Sequence, residues 1–326
     1  MPLNRKFLRQ SVVAGLTGLG AFRWLSPKVR WWFIGALVVY GFAIGSVVDR
    51  LPETADTVQV ILLTMIAAAL PLTLYDLILS YLLLERRERE GDLAVAARIQ
   101  RDLFPQSLPE SPRWEWAGFN RPARSIGGDY WDVIPVGEGR TLFLVADISG
   151  KGIPAALLMS GLRAQLRLLA TEDCDVADVA SQLNRGFFAE TAAMEYATMF
   201  LGMLDDRSGE ITYVNAGHPE ALLLRAGGDV ESLSDGGVPV GMMSGTVYDS
   251  GTVRWSPGDR LIVFSDGALD VAVGARGPLE PEELIPVARE APGPAAAVGN
   301  RITEFIRSHE RGEPEDDITV LVCLFR

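Results

Sequence analysis

Leu142-Phe143-Leu144-Val145-Ala146-Asp147-Ile148-Ser149-Gly150-Lys151-Gly152 reads as a buried strand that delivers a carboxylate into a glycine-bordered loop. The apolar run is too short for an ordinary helix and is rich in residue types that suit a pleated, packed surface. A carboxylate at the end of such a strand is held by the sheet, while the adjacent loop leaves its oxygens accessible. The design recurs along the chain. Asp129 follows Gly127-Gly128 in Gly127-Gly128-Asp129-Tyr130-Trp131-Asp132, and Asp266 ends Leu261-Ile262-Val263-Phe264-Ser265 and precedes Gly267. Asp316-Asp317 stand directly before Ile318-Thr319-Val320-Leu321-Val322. Hard divalent cations such as Mg²⁺ or Mn²⁺ take oxygen ligands from a few such carboxylates, with water completing the shell. One Asp-Gly is also a common turn, so the repetition carries the expectation that these acids meet around divalent metal.

Outward from this stretch, short strands and paired helices alternate. Trp114–Asn120, Asp132–Val136 and Thr141–Ile148 read as β, and Ile153–Ala170 and Val176–Ala192 as helices. Strands are expected at Ala197–Leu204, Glu210–Ala216, Glu220–Leu224, Arg260–Phe264 and Ile318–Phe325, with helices near 281–290 and 295–309. Many strands with helices inserted in pairs point to an α+β layered sandwich.

Charge is unevenly distributed. Residues 1–90 carry ten basic and seven acidic residues, so the chain's net charge of −12 leaves −15 on residues 91–326. That acidic portion argues against nucleic acid as a partner, because phosphate backbones require a basic footprint. Cys174 and Cys323 are the only cysteines and show no CxxC spacing, which speaks against a disulfide framework or a zinc site. With only His218 and His309 available, His-dependent nucleophilic catalysis would rest almost wholly on His218.

The first thirty residues are basic around a short apolar piece, Val12 to Phe22, a pattern like a signal peptide but without a convincing cleavage site. Trp31–Val48 is charge-free, and eighteen helical residues rise about 27 Å, enough to cross the hydrocarbon core. Val58–Leu84 is a second apolar run containing Pro71 and Asp76. Basic residues before the first run and after the second, with an acidic connector between, place both termini and the downstream domain on the cytoplasmic side of the cell inner membrane. The expected organisation is a two-helix transmembrane hairpin within 1–84, a linker helix within 85–112 and a catalytic domain at 113–326. Leu93, Ala96, Gln100 and Leu103 form a narrow seam suited to a homodimeric coiled coil or to packing along the chain's own domain.

Together with Asn215-Ala216-Gly217-His218-Pro219, Pro257-Gly258-Asp259 and Asp316-Asp317-Ile318-Thr319, the motifs stand in the order found in the metal-dependent protein phosphatase superfamily. The chain resembles its bacterial SpoIIE/RsbU branch, serine phosphatases of partner-switching pathways, over about residues 94–326. The resemblance implies a four-layer α-β-β-α sandwich with two Mn²⁺ or Mg²⁺ ions at one end. It further implies that Asp147 bridges the metals and the Ile148 carbonyl completes one shell, that Asp266 and Asp316 hold the other ion, and that Asp129 holds water on the metal. Asp317 is a further candidate ligand. Hydrolysis of phosphoserine or phosphothreonine by metal-activated water then follows, with a phosphorylated regulatory protein of the anti-sigma-factor-antagonist type as substrate. Many relatives carry His where Lys151 stands; Lys151 and Arg124 are candidate contacts to substrate phosphate, each also readable as solvated surface. The alternative is a non-catalytic phosphoprotein-binding module of the same fold; a nuclease fits the acidic domain poorly.

Overall fold

The computed structural model describes residue 46 and residues 57–191, 195–271, 277–310, 312 and 314–326, with side chains continuous from Tyr75 within these and, before it, those of Ser46, Ala69 and Thr73. The expected span at 31–48 lies, but for Ser46, outside the described residues. Helix α1 (Thr57–Leu103) takes in both the second expected span and the linker helix, and ends where Phe104-Pro105 was expected to stop it. Most side chains of its apolar half are not among those described, and among the described residues no helix is long and apolar enough to cross a membrane. The chain divides into two compact units between Asp92 and Leu93. In the first, exposed pairs Arg86–Glu90 and Arg89–Glu85 line α1 at i,i+4 spacing.

The second unit contains two antiparallel-dominated sheets. One comprises β1 (Trp114–Arg121), β6 (Ala221–Leu224), β7 (Val230–Leu233), β10 (Arg260–Phe264) and β11 (Ile318–Phe325), in the order β1-β11-β10-β6-β7. The other comprises β2 (Tyr130–Pro135), β3 (Arg140–Ile148), β4 (Ala197–Asp205), β5 (Glu210–Ala216) and β8 (Gly236–Gly237), in that order, with β9 (Gly251–Arg254) paired to β5.

Strand β3 shows why its sequence is apolar without alternation. Phe143 and Val145 point into the core between the sheets, where they meet Trp116, Phe200, Leu261 and Leu321. Leu142, Leu144, Ala146 and Ile148 point the other way, into a core closed by α2 (Ile153–Leu169) and α3 (Val176–Glu190). Helix α2 supplies Ala155, Met159, Leu162 and Leu166 at three- and four-residue steps. Helix α3 is N-capped by Asp175, whose carboxylate accepts the Ala177 and Asp178 N–H groups. Over the first sheet lie α4 (Pro281–Glu290) and α5 (Ala295–His309), burying Leu284, Ala288, Val298, Ile302 and Ile306. The three cores order the unit as helix pair, sheet, sheet, helix pair.

Strands β7, β8 and β9 were not expected from the sequence. They are two to four residues long, and Val230–Leu233 buries only Leu233, so no hydrophobic period marks them. Strand β2 starts at Tyr130, ahead of the expected Asp132.

Phe143 is fully buried between the sheets, with ring centroids 4.8 Å from Trp116 and 6.1 Å from Phe200. Phe143→Ala is expected to lower the unfolding free energy in urea by about 3–5 kcal/mol, whereas the exposed Leu168→Ala changes it by about 0.5 kcal/mol or less.

Candidate metal centre

The strand ends bring the acids together. Tyr130 pairs with Ala146 across β2 and β3, so Asp129, just before β2, lies beside Asp147 near the end of β3. In the other sheet Phe264 pairs with Val320, which sets Asp266, after β10, beside Asp316 and Asp317, before β11. Two hydrogen bonds join the pairs across the sandwich. Ser265 Oγ donates to Asp129 Oδ2 at 2.7 Å, and the Gly128 N–H donates to Asp317 Oδ2 at 2.6 Å.

The proximity has an electrostatic consequence. Burial, then Asp266 and Asp316, push the Asp147 carboxyl up to about 7. Burial and the neighbouring Asp147 hold Asp129 well above the usual carboxylate range, and burial and Asp316 raise Asp266. Like charges held this close disfavour joint ionisation, and a divalent cation relieves that conflict.

The acids divide by how their oxygens are engaged. Asp317 is buried, with one oxygen taken by the Ala123 N–H at 2.7 Å and the other by Gly128. Asp132, fully buried, accepts two bonds from Arg167 at 2.9 and 3.0 Å and one from the Tyr130 hydroxyl, so the second acid of the Gly127–Asp132 motif locks β2 to α2. Asp147 has no cationic partner among the described residues. Asp316 accepts its neighbour's N–H and pairs with Lys151 at 2.9 Å. Arg124 is exposed on the loop that follows Ala123, and it has no ion pair among the described residues.

The donor set fits hard divalent cations: carboxylates from both sheets, plus the main-chain oxygen of Ile148. A Cβ on Gly128 would stand 2.8 Å from that oxygen, so glycine is what leaves it approachable. Among the described residues no three acidic, His or Cys side chains already close into one ion's shell.

Sequence reasoning missed part of the support. Gln100 is buried rather than free in a dimer seam: its side-chain amide donates to the Gly127 carbonyl at 2.6 Å and accepts the Gly127 N–H at 3.1 Å. A lone amide in an apolar seam was the available signal. His218 fixes its own turn through Asn215, 2.8 Å from the His218 N–H. Its Nδ1 also meets Thr198 Oγ1 at 2.8 Å, and Thr198 lies opposite Asp147 in the β3–β4 register.

With this geometry in place, comparison with known proteins becomes specific. The profile of the family described as Stage II sporulation protein E (SpoIIE) matches residues 137–326. The chain belongs to the SpoIIE family. Phosphoserine phosphatase RsbU of Bacillus subtilis is 26% identical over 186 residues, 57% of this chain and 55% of RsbU. This chain spans 32% to 55% of the length of the sequence relatives it matches. A solved structure of RsbU and RsbW domains from Mycobacterium tuberculosis superposes with TM-score 0.60 at 29% identity, covering 68% of this chain and 62% of that one. The SiaA-PP2C domain of Pseudomonas aeruginosa gives TM-score 0.65 at 21% identity, over 74% and 99%. The fold is thus PP2C-like. PstP, a serine/threonine phosphatase catalytic domain solved with two manganese ions, superposes with TM-score 0.50 at 15% identity, over 65% of this chain and 97% of that one.

Burial holds the His218 imidazole down at about 3, so it is neutral in the folded protein and titrates near 6.5 when unfolded. A base with a lowered folded pKa destabilises the fold as pH falls below its unfolded value, by at most about 1.4 kcal/mol per pH unit. The stability gap between wild type and His218→Asn should therefore narrow from pH 7 to pH 4.5 in urea titrations. A gap that is constant over this range contradicts the assignment.

Proposed function

We propose that this chain is a membrane-anchored, metal-dependent protein serine/threonine phosphatase. The observation that carries the reading is the convergence of Asp129, Asp147, Asp266 and Asp316 from two sheets at one end of the sandwich, beside the approachable Ile148 carbonyl. RsbU and RsbP, among its sequence relatives, are phosphoserine phosphatases. Asp147 with the Ile148 carbonyl would hold one Mn²⁺ or Mg²⁺ ion, and Asp266 and Asp316 the other, with Asp147 shared. Divalent ions there would supply positive charge for the phosphoryl oxygens and acidify water.

The chain's own residues supply the geometry. Asp129, oriented by Ser265, stands where it can orient the attacking water and take its proton. Both oxygens of Asp317 are held by main-chain N–H groups, so we assign it to positioning the Gly127–Asp129 loop. Arg124, free of ion pairs among the described residues, is suited to hold the substrate phosphate in line with that water. A scarcity of His and Cys is no handicap, because no covalent phosphoenzyme is required. The substrate we assign is a phosphorylated regulatory domain of the partner-switching type, consistent with the RsbU and RsbW domains in the Mycobacterium tuberculosis relative. Anchoring at the cell inner membrane rests on the charge-free run at 31–48, the apolar run at 58–84 and the charge flanking them.

We assign a regulatory role to the linker as well. Gln100 grips Gly127, two residues before Asp129, so the end of α1 bears on the position of that acid.

Purified full chain should release phosphate from a phosphoserine regulatory domain only with Mn²⁺ or Mg²⁺. Asp147→Asn should reduce kcat by about 10³-fold or more, the scale of losing a group that organises transition-state charge. Binding of the phosphoprotein without turnover under any divalent metal would favour the binding-module alternative. Gln100→Ala should change kcat severalfold and lower stability by about 1–3 kcal/mol, because the Gly127 N–H and carbonyl lose their partner; equal kcat would detach the linker from the site.

A further inference from the structure

Lys151 occupies a singular place. It lies between Gly150 and Gly152, whose φ values of 98° and 78° require glycine, so a tight loop presents its side chain at the foot of α2. The ammonium stands 2.9 Å from Asp316 Oδ2 and also donates to the Glu315 carbonyl. Asp316 Oδ1 is taken by the Asp317 N–H at 2.8 Å, so both of its oxygens have a donor. The same ammonium acts on Asp266, offsetting part of the repulsion that raises that carboxyl. Asp147, by contrast, faces no lysine or arginine partner among the described residues.

The two halves of the metal centre therefore differ in charge. We infer that Lys151 is a tethered cation that competes with divalent metal for Asp316, so that the ion held by Asp266 and Asp316 binds more weakly than the ion held by Asp147 and Ile148. The inference rests on the metal-centre reading above and gives Lys151 a role other than substrate contact.

Magnitudes support competition rather than blockade. The Lys151 and Asp316 side chains are 41% and 33% exposed. A half-exposed ion pair is weak because water screens it, and a doubly charged ion with several oxygen ligands outcompetes it. Whether the ammonium is displaced or shares the carboxylate, a positive charge within a few ångströms of the ion opposes its binding. The protein would then load fully only as divalent metal rises, and high salt, which screens the ammonium, would narrow the difference between the two halves.

The test is Mn²⁺ titration of the purified full chain by isothermal calorimetry, comparing wild type with Lys151→Met and Lys151→Arg. Two classes of ion are expected in wild type. Lys151→Met should tighten the weaker class by about tenfold and leave the tighter class unchanged, while Lys151→Arg should behave as wild type. Unchanged or weaker binding of the second class in Lys151→Met overturns the inference. So does a rise in KM for the phosphoprotein with both metal affinities unchanged, which would return Lys151 to substrate contact. Absence of any Mn²⁺ binding that Asp147→Asn removes would overturn the metal-centre reading itself, and the inference with it.

Discussion

Repulsion among carboxylates is the constraint that the structure has to manage. Asp129, Asp147, Asp266 and Asp316 are gathered at one end of two packed sheets, and their mutual field, with burial, drives Asp147 to about 7. Nothing local to any one of them could hold them there. What does is the inter-sheet core around Phe143, Trp116 and Phe200, whose burial outweighs the unfavourable charge at the rim. Two cross-sheet hydrogen bonds, from Ser265 to Asp129 and from Gly128 to Asp317, set the separation of the two pairs.

This division of labour explains why the domain carries more buried acids than a metal centre needs. Asp317 and Asp132 are saturated by donors and act as braces, one on the loop before β2 and the other between β2 and α2. Asp147 and Asp266 are the acids that would hold cations in the proposed reading. Asp316 stands between these cases, because one of its donors is an ammonium.

Reading from sequence succeeded where residue type and position along a strand settle the outcome. The uninterrupted apolar run of β3 predicted a buried strand and an acid at its end, and Gly127-Gly128 marked Asp129 as a second glycine-bordered acid. It did less well where a residue's role depends on what approaches from elsewhere. Gln100 was legible as a polar intrusion in an apolar seam, but its partner, Gly127, lies beyond the helix end. His218 fixes its own turn through Asn215, and its bond to Thr198, which no local pattern announces, adds a link toward Asp147. Strands as short as β7 and β8 have too few residues to display a period.

The sequence by itself determined the order of strands and helices, the acidic character of the domain and the set of acids from which the centre is drawn, because periodicity, glycine placement and charge are local properties. Tertiary structure alone decided which acids face one another, which are consumed by main-chain donors, and that Lys151 rests on Asp316. Those outcomes depend on register between strands more than a hundred residues apart and on the field that assembled charges exert on one another, neither of which is written in any single stretch.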